Sequence, residues 1–396
     1  MRAPWAVAVA VRTVALAGRA LPVAFATLAV AAGTLAVPSG ASAALAVGEG
    51  ATQPGSPPVR ELAIVASGDL LIHQPVWAQA LANGRGRYDF RPMFQAIRPI
   101  VRRADLAICH VETPMGAGAL SGFPVFNSPP ELARAIAWAG WDACTTASNH
   151  SVDRGLTGVT TTLRALERAG VRHAGTARSP RESNRILLLE AKGVRVALLS
   201  YTYGTNGIPA PTPWAVSLLS RARVAADARQ ARRLGADLVI ASFHWGVEYV
   251  HEPTSEQRTL AHALLRRGTV DLILGQHAHV VQPIRRLHGR FVVFGEGNLL
   301  SAQSTACCPG PTQDGLIAVV RARTIGERVT VTRVDYVPVW VERPTFVVRP
   351  VRSSLAVLRR RGLAPSSLAA ALATSWQRTT GVVGRTPWTR PLDGAP

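Results

Sequence analysis

From Glu61 to Val341 the chain repeats one pattern: an apolar run of strand length, a cluster of polar residues, then a stretch with apolar residues at helical spacing. The runs 61–69, 104–112, 141–150, 236–244 and 270–279 all end in side chains able to bind metal. Continuous apolar runs indicate strands covered on both faces, and segments such as 155–169 and 221–234 have the spacing of covering helices. This predicts a βαβ series. Further strands are predicted at 195–201, 291–294, 315–322 and 329–341. The last two are joined by a Gly-containing turn and read as antiparallel, so mixed sheets are expected. In such sheets ligands bind beyond the carboxyl ends of the strands, where all five polar clusters fall.

The flanks differ from this body. Arg2, Arg12 and Arg19 precede an apolar run over 21–37 and then Ala41-Ser42-Ala43, the small-x-small form of a signal-peptidase site. Residues 1–43 therefore read as an export signal, with an uncleaved membrane anchor as the alternative, and the Gly/Pro/Ser/Ala-rich 44–60 as a flexible linker. The main domain is expected over 61–350, followed at 351–396 by a tail with one short helix, 365–376.

Charge adds a partner class. The formal charge is +20, and Lys192 is the sole lysine, so nearly all of it is arginine. A field of that sign attracts anionic polymers or lipid. The arginines are spread along the sequence, which argues against a compact nucleic-acid patch. A coding bias that writes Arg for Lys gives the same composition. The four cysteines fit no zinc-ribbon spacing, but Cys109 and Cys144 lie near the ends of two predicted strands that neighbouring positions in a sheet would bring together.

Ser148-Asn149-His150-Ser-Val-Asp153 is the sharpest local signal. An amide oxygen of Asn149 can ligate metal while His150 faces substrate, with Asp153 holding the second ring nitrogen of His150. The same string also reads as a polar turn. His277-Ala-His279 offers two imidazoles at i and i+2, which a strand or extended loop presents on one side. His244 is expected as a ligand, with Glu248 orienting it. Asp69 and Glu112 supply the negative oxygens that a pair of divalent cations requires, although each also suits a turn or a helix start. His73, His110 and Asn298 are secondary candidates, and no Ser/His/Asp triad spacing is present.

These motifs resemble those of the CapA (poly-γ-glutamate capsule synthesis) family. The resemblance rests on Gly68-Asp69, His110-Val111-Glu112, Asn149-His150 with Asp153, His244-Trp-Gly-Val-Glu248, Gly275-Gln-His277-Ala-His279 and Gly295-Glu-Gly-Asn298. It implies an α/β fold, a metallophosphoesterase-like α/β/β/α sandwich with mixed sheets, and one or two divalent ions (Mn, Fe or Zn). The chain departs from the superfamily at Leu71, where Asp-x-His would place a histidine, and at His110, where the family carries asparagine. The function implied is a role, for an exported protein, in the synthesis or export of poly-γ-glutamate or another envelope polymer. One form is a metal-dependent hydrolase in which His150 protonates the leaving group. The other is a non-catalytic subunit that binds metal or polyanion beside a membrane synthase.

Overall fold

The computed structural model describes residues 61–325 and 328–394. The expected export signal (1–43) and linker (44–60) lie outside the described residues. In chain order the strands are β1 (Glu61–Leu71), β2 (Leu106–Val111), β3 (Ala143–Thr145), β4 (Arg172–Ala174), β5 (Leu187–Ala191), β6 (Val194–Thr202), β7 (Leu238–His244), β8 (Leu272–Gln276), β9 (Ile284–Leu287), β10 (Arg290–Val293), β11 (Asn298–Ser301), β12 (Asp314–Ile325), β13 (Arg328–Val341) and β14 (Val348–Pro350).

These strands form two sheets. One has the order β14-β13-β12-β1-β2-β3-β4, with β11 also paired to β1, and the other β5-β6-β7-β8-β10-β9. β1 to β4 run parallel, as do β6, β7, β8 and β10, while β12 to β14, β5 and β9 are antiparallel additions. The sheets are mixed, as the pattern predicts.

Successive side chains on a strand point to opposite faces, and the apolar runs use both. Ile64, Leu106 and Ile108 face inward onto Leu238, Ile240 and Leu272 of the other sheet. The alternate residues Val65, Ala107 and Cys109 face outward onto Phe94, Leu132 and Ile136. On the other side, Val239, Ala241 and Ile273 pack on Val224, Ala228 and Leu264. The result is a four-layer α/β/β/α sandwich. Its outer helices include Gly155–Arg168 and Arg221–Arg233, within a residue of the bounds the spacing predicts.

Cys109 and Cys144 are directly opposite in the β2/β3 register and form a disulfide; the adjacent Cys307 and Cys308 are also joined.

The C-terminal segment differs from expectation. It holds two helices, Val351–Arg360 and Ser367–Val383, instead of one. Nor does it behave as a tail. Arg378 makes two bonds to the buried Asp314 carboxylate at 2.6 and 2.8 Å, Val383 joins the inter-sheet core, and the backbone at 390–392 pairs with Tyr336 of β13. The tail reading failed because Arg-rich, weakly periodic sequence looks solvated until a buried acid partner is known.

Candidate metal centre

Five strand ends deliver polar side chains to one region. Asp69 comes from β1, His110 from β2 with Glu112 just beyond, and Asn149 and His150 from the loop after β3. His244 closes β7, and His277 and His279 follow β8. All are buried, Asp69, His110 and His244 completely. Burying so many polar groups is costly unless each finds a partner.

Three sets of donor atoms lie close enough to hold an ion, each set within 4.8 Å: Asp69/His110/His244, Asp69/Glu112/His279 and Glu248/His277/His279. The sets share Asp69 and His279, so they form one continuous cluster. Within it His279 Nδ1 is 3.2 Å from Asp69 Oδ2 and Nε2 is 3.7 Å from Glu112 Oε1. His110 Nε2 stands 3.1 Å from His244 Nδ1, and His244 Nε2 is 2.9 Å from Asn149 Oδ1. Asn149 Nδ2 donates to Asn206 at 3.2 Å, which keeps its oxygen turned to the cluster.

The residues fit a cation on two counts. Both Glu112 carboxylate oxygens, Asp69 Oδ1 and His277 Nδ1 are buried without a hydrogen-bond partner. The donor set of carboxylate, imidazole and amide oxygen is also one that divalent transition metals take. A fourth set, Glu167/His173/Glu182, does not fit, because the Arg178 guanidinium is bonded to both carboxylates.

Charge in the cluster is distributed unevenly. Burial lowers His110 to about 4 and His277 to about 3, and pushes His244 well below its usual value, so these three are neutral and have lone pairs to offer. Burial raises the Glu112 carboxyl well above the usual range. His279 goes the other way: burial opposes its charge, but Glu112 and the Asp69 hydrogen bond outweigh that and raise it to about 9.

Other placements correct the expectations. His277 and His279 have φ of 89° and 54°, so they sit on a left-handed turn instead of an extended strand or loop. Such backbone costs about 1–3 kcal/mol per residue and is found where surrounding structure fixes it. Glu248 groups with His277 and His279, not with His244. His110, ranked second from sequence, stands between Asp69 and His244, whereas His73 belongs to none of the donor sets. Asn298 Oδ1 lies 3.1 Å from His279 Nδ1. His150 is outside the donor sets; its Nδ1 meets Asp153 Oδ2, and its Nε2 is 3.4 Å from Asn206 Nδ2.

Sequence reasoning missed Asn206, Tyr203 and Glu296. Tyr203 lies over the His277 ring with centroids 4.6 Å apart and donates to Asn206 at 3.3 Å. Both come from a loop without local pattern. Glu296, fully buried and raised by that burial to about 8, accepts from Gln276 at 2.9 Å; it stood inside the Gly295-to-Asn298 motif.

The loop that contains Glu296 crosses from β10 in one sheet to β11 in the other. Asp69 N donates to Gly297 O at 3.0 Å and Glu296 N to Gly275 O at 2.9 Å. A Cβ on Gly68 would stand 1.8 Å from Gly297 O, and one on Gly275 1.8 Å from Phe294 O, so both glycines are there to admit this loop.

The family model described as "Bacterial capsule synthesis protein PGA_cap" matches residues 63–303, a span that contains every site residue named here. The chain belongs to this family. It is 25% identical over 280 residues to the capsule biosynthesis protein CapA of Bacillus anthracis, covering 68% of this chain and 66% of that one. It is 26% identical over 169 residues to a probable polyglutamine synthesis accessory protein of Mycobacterium tuberculosis, covering 40% and 44%. The chain thus spans about two thirds or less of the length of these relatives. Among solved structures it is similar to the calcineurin-like phosphoesterase YfkN from Bacillus subtilis, with 13% identity, a TM-score of 0.46, and coverage of 82% of this chain and 98% of that one. Among the described residues no helix is long and apolar enough to cross a membrane.

Proposed function

We propose that this protein is an exported metal-dependent hydrolase that acts on a phosphoester or amide of an anionic envelope polymer such as poly-γ-glutamate. One observation carries the reading: unpartnered buried carboxylate oxygens of Asp69 and Glu112 converge with neutral imidazoles beside a separate His150–Asp153 pair. Asp69, His110, Glu112, Asn149, His244, His277 and His279 would hold one or two ions of Mn, Fe or Zn. Such an ion supplies Lewis acidity and water activation at neutral pH. His110 adds an imidazole where the buried Leu71 contributes none.

His150 is the proton carrier in this reading. Asp153 fixes Nδ1 as the protonated nitrogen, which leaves Nε2 to exchange a proton with a leaving group. Asn206 and Tyr203 close over the cluster and position the reacting group. The export signal and association with membrane synthase subunits belong to the same proposal. The mycobacterial relative is described as a probable accessory protein of polyglutamine synthesis, which favours a second reading in which the same cluster binds metal without turnover.

The test is metal analysis and turnover on one preparation. Purified protein supplied with Mn, Zn or Fe is expected to hold one or two ions and to hydrolyse p-nitrophenyl phosphate or γ-glutamyl oligomers. Asp69→Ala and His277→Ala should lose both properties. Unchanged metal occupancy in these variants would refute the ligand set, and full occupancy without hydrolysis would favour the accessory reading.

A further inference from the structure

Arginines that look evenly spread along the sequence converge on the outer face of the second sheet. A groove of about 760 Å³ runs between the helices Arg221–Arg233 and Ser255–Arg266. Arg221, Arg229 and Arg233 line one wall, and Arg266 and Arg267 line the other. All five are exposed, and none has an ion-pair or side-chain hydrogen-bond partner among the described residues. Their neighbours are different: Arg223 is engaged by Asp227, and Arg232 by Asp271. Among the described residues no acidic side chain lines the groove. Like charges gathered this way repel, and a bound anion is what would relieve them.

The shape selects among anions. The floor is made of small apolar residues, Ala225, Ala228 and Ala263 with Leu264, and no aromatic side chain is present to stack a base. At about 760 Å³ the groove is too small to enclose a duplex, and its lining offers no exposed aromatic or large apolar wedge to insert into a bilayer. The first helix has 13 residues, so its axis spans roughly 20 Å at 1.5 Å per residue, the length of about six residues of an extended chain. Guanidinium groups recognise carboxylate and phosphate oxygens in pairs.

We infer that this groove is a binding site for a thin, extended oxyanion-bearing polymer, separate from the metal cluster. Both helices lead into the amino ends of β7 and β8, whereas His244 and His277 lie at or beyond the carboxyl ends of these strands. β7 alone has seven residues, which separates its ends by roughly 20 Å at 3.3 Å per residue. Arg233, Arg266 and Arg267 therefore lie at the end of the sheet away from the cluster, none of the cluster's residues lines the groove, and the inference stands or falls independently of hydrolysis.

Binding of labelled poly-L-glutamate and of inorganic polyphosphate to the full chain, read by fluorescence anisotropy, tests this. Arg229→Glu/Arg267→Glu is expected to weaken binding at least tenfold, with metal content unchanged. Arg164→Glu/Arg168→Glu removes the same charge elsewhere and should change it less than twofold. The tighter of the two probes identifies the oxyanion. If the reversed pair fails to fold, Arg229→Gln/Arg267→Gln gives the same comparison. Equal losses in groove and control variants, or oligo(dT) or anionic vesicles binding as tightly as the polymers, would overturn the inference.

Discussion

His150 turns Nδ1 to Asp153 Oδ2 at 2.8 Å, and Asp153 Oδ2 also accepts from the Phe126 backbone at 2.7 Å. The Phe126 ring in turn meets the His150 ring edge-on at 4.7 Å. The imidazole is therefore held in position and in tautomer without contact to the ligand set.

Under the proposed function, chemistry and metal binding separate at this residue. His150→Gln should lower turnover by about 10²- to 10⁴-fold, the usual cost of losing a general acid or base. Metal per chain, measured on the same preparation, should not change.

Protonation of the cluster predicts how the chelated protein responds to pH. His110 and His277, lowered from 6.5 to about 4 and about 3, are neutral in the fold but gain protons when unfolded. Stability therefore rises with pH from about 4 to 6.5. His279, raised to about 9, contributes stability that is full below 6.5 and is lost as pH rises through 9. Melting temperatures of EDTA-treated protein should peak near pH 6.5. Binding a cation displaces the His279 and Glu112 protons, so metal-loaded protein should peak at higher pH.

Gly68→Ala is expected to destabilise by about 1–3 kcal/mol, because the new Cβ can be accommodated only by moving the Gly297 backbone. Urea unfolding gives that cost. Since Asp69 N is bonded to the same carbonyl, metal occupancy should fall as well.

Arg378→Ala leaves the Asp314 carboxylate, 2% exposed, without its charged partner. The loss should be about 2 kcal/mol, within the range for hydrogen bonds to charged groups, since solvent reaches part of Arg378. Asp314→Asn added to Arg378→Ala should recover part of it. Equal stability of Arg378→Ala and wild type would return the C-terminal helices to the status of a tail.

What could be read from the sequence was whatever repeats locally. Apolar runs ending in Asp69, Glu112, Asn149, His244 and His279 signalled strand ends, and parallel connectivity placed those ends together. His110 was undervalued because nothing near it in sequence reveals that His244, 134 residues on, stacks against it at 5.0 Å. The left-handed turn at His277 and His279 was invisible for a related reason: histidine carries no mark of positive φ, and only the surrounding fold enforces it. Asn206 and Tyr203 come from a loop whose course is set by tertiary contacts. The arginine groove was missed because summing charge along a chain says nothing of which helix faces meet.

The crossing between β10 and β11 bears on which changes the site can survive. Asp69 and His110 belong to one sheet and His244 to the other, and among the described residues no strand is common to both. The segment 294–297 links them through backbone atoms, Gly297 O to Asp69 N on one side and Glu296 N to Gly275 O on the other. Backbone bonds of this kind depend little on side-chain identity and strongly on residue count. Within this link, deleting or inserting one residue would shift one half of the cluster against the other by the length of a peptide unit, a disruption no point substitution on the loop surface could match.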